Sequence, residues 1–234
     1  HDEDLLERCI ARVHRALGAS ERGFFDDSND LTGRYDIYSA DVLLFLEPLW
    51  DLLDRDRMIR ALATHVDLLQ AAGMENGAAV AWGRSVGALS VCMTLELAAT
   101  ALREGVGDAP VLLGLGANAL ARLDEWFADD LVCAHRGRMT YGYRGPHRLL
   151  QMTLDLLGKV GYAALALRAA GACDAELTRD EVFAPRDRWI AFHDAGCGVW
   201  AFRNAHVAMQ FPVVDAWRAD YGPWFRSPRL LDNL

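Results

Sequence analysis

The stretch RSVGALSVCMTLELAATALRE, residues 84–104, decides how the rest of the chain is read. Val86, Ala88, Leu89, Val91, Cys92, Met93, Leu95, Leu97 and Ala98 leave it almost no polar side until Arg103. A helix that is apolar nearly all round has to be covered on nearly every side, so it predicts a core helix with neighbours on several faces. The stretch from His147 to Ala170 has the same character. By contrast, Met58, Ile59, Leu62, Val66 and Leu69 line one face of the segment before it, with charged residues opposite, which predicts an outer, half-exposed helix.

Working outward, apolar spacing of the helical kind runs through most of the first 170 residues. Leu5, Leu6, Cys9, Val13 and Leu17 form one stripe, closed by Gly18. Further helices are expected at 39–54, 56–72, 84–104, 109–128 and 147–171. Inner helices alternating with amphipathic ones are what two rings of hairpins produce. The expected fold is therefore mainly α, an (α/α) toroid of helical hairpins over 1–180, incomplete in this chain. After Pro185 the pattern changes. RWIAFHD and GVWAFRNAHVAMQFPVV place aromatic and β-branched residues in near alternation around the turn Asp194-Ala195-Gly196, the signature of antiparallel strands. Residues 181–234 thus read as the start of a second, β domain. So few strands imply that a longer protein or a partner chain completes the sheet.

Composition narrows the function. The 234 residues carry a formal net charge of −9, which argues against a nucleic-acid binder, because phosphate neutralisation needs a wide basic face. No apolar run reaches the length of about 18 residues needed to span a membrane. A bacterial cytoplasmic protein, or one exported after removal of a leader, fits. Five scattered cysteines without a CxxC pair read as buried free thiols. His65, His135, His147, His193 and His206 show no ligand spacing, so no metal is expected. No cofactor motif is present either, since Gly114-Leu115-Gly116 lies inside a helical pattern. Lys159 is the only lysine beside 23 arginines, a skew read as genomic composition and given no mechanistic weight.

Three loop constellations carry the candidate chemistry. In the first, Gly23-Phe24-Phe25-Asp26-Asp27 precedes Arg34-Tyr35-Asp36-Ile37-Tyr38-Ser39 at a helix entrance. Tyr38 or Asp36 is there a candidate proton-transfer group retuned by Arg34, although Ser39 as a simple cap explains the same residues. In the second, Trp82-Gly83-Arg84-Ser85 puts a cation at a helix N-terminus, against the helix dipole. A clamp on a carboxylate or sulfate gives Arg84 a reason to be there, and so does an ion pair with Glu75 or Asp36. In the third, residues 131–154 hold four arginines, two histidines and two tyrosines without one acid. Tyr141 and Tyr143, interleaved with Gly142 and Gly145, offer stacking faces to a sugar, and Arg144, His147 and Arg148 open a helix along which Gln151 and Asp155 follow. The alternative is that these arginines pair with acids of neighbouring helices.

The order GFF-D-D, then R-Y-D-I-Y-S, then W-G-R-S at the entrance of a long helix resembles bacterial (α/α)-toroid carbohydrate-active proteins. These are the heparinase II/III-like and chondroitin AC-type polysaccharide lyases and a related toroid family. The resemblance implies a catalytic tyrosine at Tyr38, a sugar-facing arginine at Arg84, and a helical toroid followed by a β domain. It implies β-elimination on an acidic, uronate-containing polysaccharide, with Arg84 and Arg144 neutralising the carboxylate, Tyr38 moving the proton and His147 as a second base. The family's tyrosine is partnered by a histidine in the preceding loop. None lies between Gly23 and Tyr38, where Asp36 stands instead. That leaves two alternatives: hydrolysis by Asp36 with Asp26, Asp27 or Asp155, Trp82 and the tyrosines acting as stacking platforms, or a toroid that binds a glycan or protein without catalysis.

Overall fold

The computed structural model describes residues 2–18, 37–80, 87–128, 131–132, 145–172, 188–194, 197–204 and 206–214. The described chain is mainly helical, with α1 at Asp2–Gly18, α2 at Ile37–Phe45, α3 at Arg55–Ala72, α4 at Ala88–Glu104, α5 at Ala109–Leu123 and α6 at Gly145–Ala169. Its strands are β1 at Phe127–Ala128, β2 at Leu131–Val132, β3 at Arg188–Asp194, β4 at Cys197–Arg203 and β5 at Ala208–Val214. Among the described residues no helix is long and apolar enough to cross a membrane.

The centre is α4. Its buried side chains serve two apolar clusters at once. Met93, Leu97, Ala98 and Ala101 join α2, α3 and α5 on one side, while Val91, Cys92, Leu95 and Ala99 join α5 and α6 on the other. Two cores on opposite faces explain why the sequence leaves α4 no polar side. Two of the polar residues it buries, Ser90 and Thr94, are bonded nearby. Thr94 Oγ1 donates to Ser90 O at 3.0 Å, and Ser90 Oγ accepts from Ala79 N at 3.1 Å.

A four-residue turn joins α4 to α5 as a hairpin, and glycine makes it possible. Gly105 ends α4 at φ 68°, and Gly107 sits at φ 86°, where a Cβ would come within 2.6 Å of Val66 Cγ1. Pro48 shapes the earlier boundary. A proline lacks the N–H and crowds the carbonyl four residues back, so α2 stops at Phe45 and a 3₁₀ helix, Glu47–Leu52, replaces the single helix expected over 39–54. Likewise the helix expected over 109–128 ends at Leu123, passes through a 3₁₀ turn at Asp124–Trp126 and enters the β1–β2 hairpin.

The three-stranded antiparallel sheet has order β3–β4–β5, with Asp194 opposite Cys197 where the turn was expected. Alternation sorts its faces. Val199, Ala201 and Arg203 are buried, while Trp200 stacks on Phe202 at 6.3 Å and meets Phe211 at 5.3 Å on the other face. The buried face lies on α3. Arg203 Nη2 donates to Gln70 O at 2.9 Å and Gln210 Nε2 donates to Ala72 O, so the sheet satisfies carbonyls of the last turn of α3 that have no partner within the helix. Burial, with Arg188 nearby, lowers the Arg203 guanidinium to about 10, still charged at neutral pH and favourably placed at a helix C-terminus.

This packing corrects three expectations. First, α3 is not half exposed: Ala61, His65, Leu68 and Ala72 are buried besides the expected stripe, because the sheet covers a second side. Second, α6 is not covered all round. Among the described residues Leu150, Leu154, Leu157, Tyr162 and Leu165 remain exposed, and only the face carrying Leu149, Leu156, Ala163 and Ala166 is packed. Third, Leu5, Leu6 and Cys9 of α1 are exposed, and only Ile10 and Val13 rest on the core. Of the expected buried thiols, Cys92 is buried and pushed up to about 12 by desolvation, so it is an inert core residue.

Candidate functional site

Where α2, α4 and α6 meet, α6 brings its one lysine into the interior. Asp155 and Lys159 are four residues apart, hence on the same side of the helix. Lys159 is only 8% exposed. A buried ammonium needs counter-charge, and two helices supply it. Lys159 Nζ donates to Asp41 Oδ1 of α2 and lies 3.8 Å from Glu96 Oε2 of α4. Although burial works against it, Asp41 and Glu96 together hold the ammonium above its ordinary value.

Glu96 is the unusual member. It is 7% exposed, and among the described residues its Oε2 is buried without a hydrogen-bond partner. Burial raises its carboxyl to about 7. Lys159 opposes the shift, and the negative charges of Asp41 and Asp155 add to it. A carboxyl that titrates near neutrality is suited to give and take protons.

Lys159, Glu96 and Asp155, though not Asp41, border a cleft of about 440 Å³. Asp155, Glu96, Thr100 and Lys159 line it, with Glu47 and Arg103 at one end. The rim is apolar: Phe45 is 81% exposed and Tyr162 63% exposed, and Leu154 and Pro48 complete the edge. Arg103 Nη2 donates to Glu47 Oε1 at 2.8 Å and its Nε to Glu104 Oε1 at 2.9 Å. The other Glu104 oxygen holds Arg55 at 2.6 Å.

Of the side chains picked from the sequence, Asp155 alone of the described ones lines this cleft. Tyr38 sits in the first turn of α2, half buried and packed against the core, one turn before Asp41. His147, Arg148 and Gln151 are exposed at the start of α6, and Arg148 Nη1 donates to Gln151 Oε1 at 2.7 Å. Asp155 lines the cleft, whereas Arg148 and Gln151 bond to each other on the surface. Asp26, Asp27, Asp36, Trp82, Arg84, Tyr141, Tyr143 and Arg144 lie outside the described residues.

No protein-family model, curated protein or solved structure matches the chain. The chemistry of the cleft therefore has to speak for its use.

Two of the cleft's charged residues leave a signal in the sequence. Glu96 is an isolated acid in the middle of an apolar helix, and Lys159 is the only lysine of the chain, on a helix of similar character. A lone charge in such a setting is retained against a desolvation cost. Two such charges on two largely apolar helices are a signal that they meet.

Proposed function

We propose that this chain is a carbohydrate-active enzyme that hydrolyses a glycosidic bond in the cleft between α2, α4 and α6, and that its helical pairs are hairpins of an (α/α) toroid. One observation carries this reading: a buried carboxyl raised to about 7, Glu96, shares a cleft with an exposed acid, Asp155, beneath a rim of exposed aromatic side chains. Two carboxyl groups in contrasting environments are what acid-assisted hydrolysis needs, one keeping its proton and one accepting charge. Faces such as Phe45 and Tyr162 suit the apolar side of a sugar ring.

In this mechanism Glu96 gives its proton to the glycosidic oxygen as the bond to the anomeric carbon breaks. Asp155 acts on the opposite face, as base for the attacking water or as nucleophile. Once deprotonated, Glu96 is a buried carboxylate, and the Lys159 ammonium 3.8 Å away stabilises it until the proton returns. Asp41 holds that ammonium in place.

The test is turnover of an oligosaccharide panel, read by two signals: new reducing ends, and the ultraviolet absorbance of an unsaturated uronide. Reducing ends without absorbance are expected, with rate falling as pH rises through about 7. Glu96→Gln and Asp155→Asn should each lower kcat at least about 100-fold. Absorbance with every turnover would mean elimination instead. Binding without turnover by the parent protein would leave a glycan-binding module.

A further inference from the structure

We propose that the cleft selects by charge, taking an uncharged or amine-bearing saccharide and turning away uronate and sulfated ones. This rests on reading the cleft as a saccharide site and deepens it, because it reverses the acidic substrate that the lyase resemblance implies.

The inference follows from how the cleft's charges are already engaged. Its described cations are Lys159 and Arg103. Lys159 is bonded to Asp41 of α2 and faces Glu96 of α4. Arg103 is held between Glu47 of the 3₁₀ helix and Glu104 of α4, and Glu104 is shared with Arg55 of α3. Against these cations stand Glu47, Glu96 and Asp155 along the lining, with Asp41 behind Lys159 and Glu104 behind Arg103. A ligand carboxylate or sulfate would have to break an ion pair already made, or lie against Asp155 and Glu96 in a partly desolvated space where like charges repel strongly. A ligand ammonium meets the opposite situation. Asp155 is exposed and lines the cleft, so its carboxylate can receive it, and Glu96 lines the same hollow. A neutral hydroxyl can donate to the Asp155 carboxylate without any charge penalty.

Selection by charge also has a direction with pH. The charges acting on Glu96 are Lys159 and Asp155 from α6 and Asp41 from α2. When Glu96 ionises, the cleft gains one more negative charge, so discrimination against anions sharpens between pH 6 and pH 8.

The experiment uses three aryl probes of one shape, benzylamine, benzyl alcohol and benzoate, whose ring fits the Phe45–Tyr162 rim, with binding followed by nuclear magnetic resonance. The amine should bind at least about tenfold more tightly than benzoate at low salt, with the alcohol between them. High salt should narrow the gap by screening. Asp155→Asn, a change at an exposed residue, should narrow it as well without unfolding the protein. Benzoate binding as tightly as benzylamine, or a gap indifferent to both salt and Asp155→Asn, overturns the inference.

A second arm compares neutral gluco-oligosaccharides, α- and β-linked, with oligoglucuronates of matched linkage. Binding and cleavage confined to the neutral series supports the proposal. Tighter binding of the glucuronates overturns it while leaving the saccharide reading in place. If neither series binds but the aryl order holds, the saccharide reading falls and charge selection stands.

Discussion

Replacing Glu96 by glutamine should make the protein more stable at pH 8 and leave it almost unchanged at pH 4.5. In the unfolded chain this carboxyl loses its proton near 4.5, whereas the folded protein holds it up to about 7, chiefly because ionisation would place a poorly solvated charge between α4 and α6. Between those two values the folded state binds more protons than the unfolded one, so stability falls as pH rises through the window and levels off above it. At 1.36 kcal/mol per pH unit the loss is about 3 kcal/mol. Glutamine has the same shape and no titration, so its variant lacks this loss. Urea unfolding of both proteins from pH 4.5 to 8 measures the difference directly, because the other titrating groups are common to the pair and cancel. The two stability curves should diverge by about 3 kcal/mol, or roughly 10 °C in Tm for a chain of this size. Parallel curves would refute the reasoning, since Glu96 would then titrate in the folded protein as it does in the unfolded one.

Lys159→Met removes the counter-charge of two acids at once and should destabilise the fold by about 3 kcal/mol at neutral pH, the size typical of a broken buried ion pair, as measured by chemical denaturation. The same variant should move the Glu96 carboxyl further above about 7, visible as a later carboxyl carbon titration. Gly107→Ala meets both a positive φ of 86° and Val66 Cγ1 at 2.6 Å, and should cost about 3 kcal/mol. Gly105→Ala has φ 68° but open space around it, and should cost only about 1 kcal/mol in the same thermal unfolding assay.

The elements that emerged as expected are those fixed by neighbouring residues. The helix expected over 56–72 is α3, and RWIAFHD is β3, because periods of 3.6 and 2 are properties of a few consecutive side chains. The boundary at Phe45 was legible in principle, since Pro48 is a local signal, but the apolar run through Leu46 and Trp50 masked it. Burial was harder to read. α3 has an amphipathic sequence, and only a sheet whose Arg203 stands 133 residues beyond Gln70 turns its second side inward. The site was least legible. The conspicuous tyrosines and arginines of the sequence stand in stretches that read as loops, while the described cleft is lined by single charges within largely apolar helices.

The sequence by itself determined that α4 would be an inner helix and that strands would follow Pro185, and it set two single charges, Glu96 and Lys159, into largely apolar helices. Only the tertiary structure decided that those charges answer one another. Lys159 and Asp41 are separated by 118 residues of chain, and nothing in local periodicity carries information over that distance. Their meeting follows from how α6 docks on α2 and α4, which depends on the shapes of two apolar cores. That docking buries Glu96, and desolvation raises its carboxyl to about 7 even though the Lys159 ammonium beside it acts in the opposite direction.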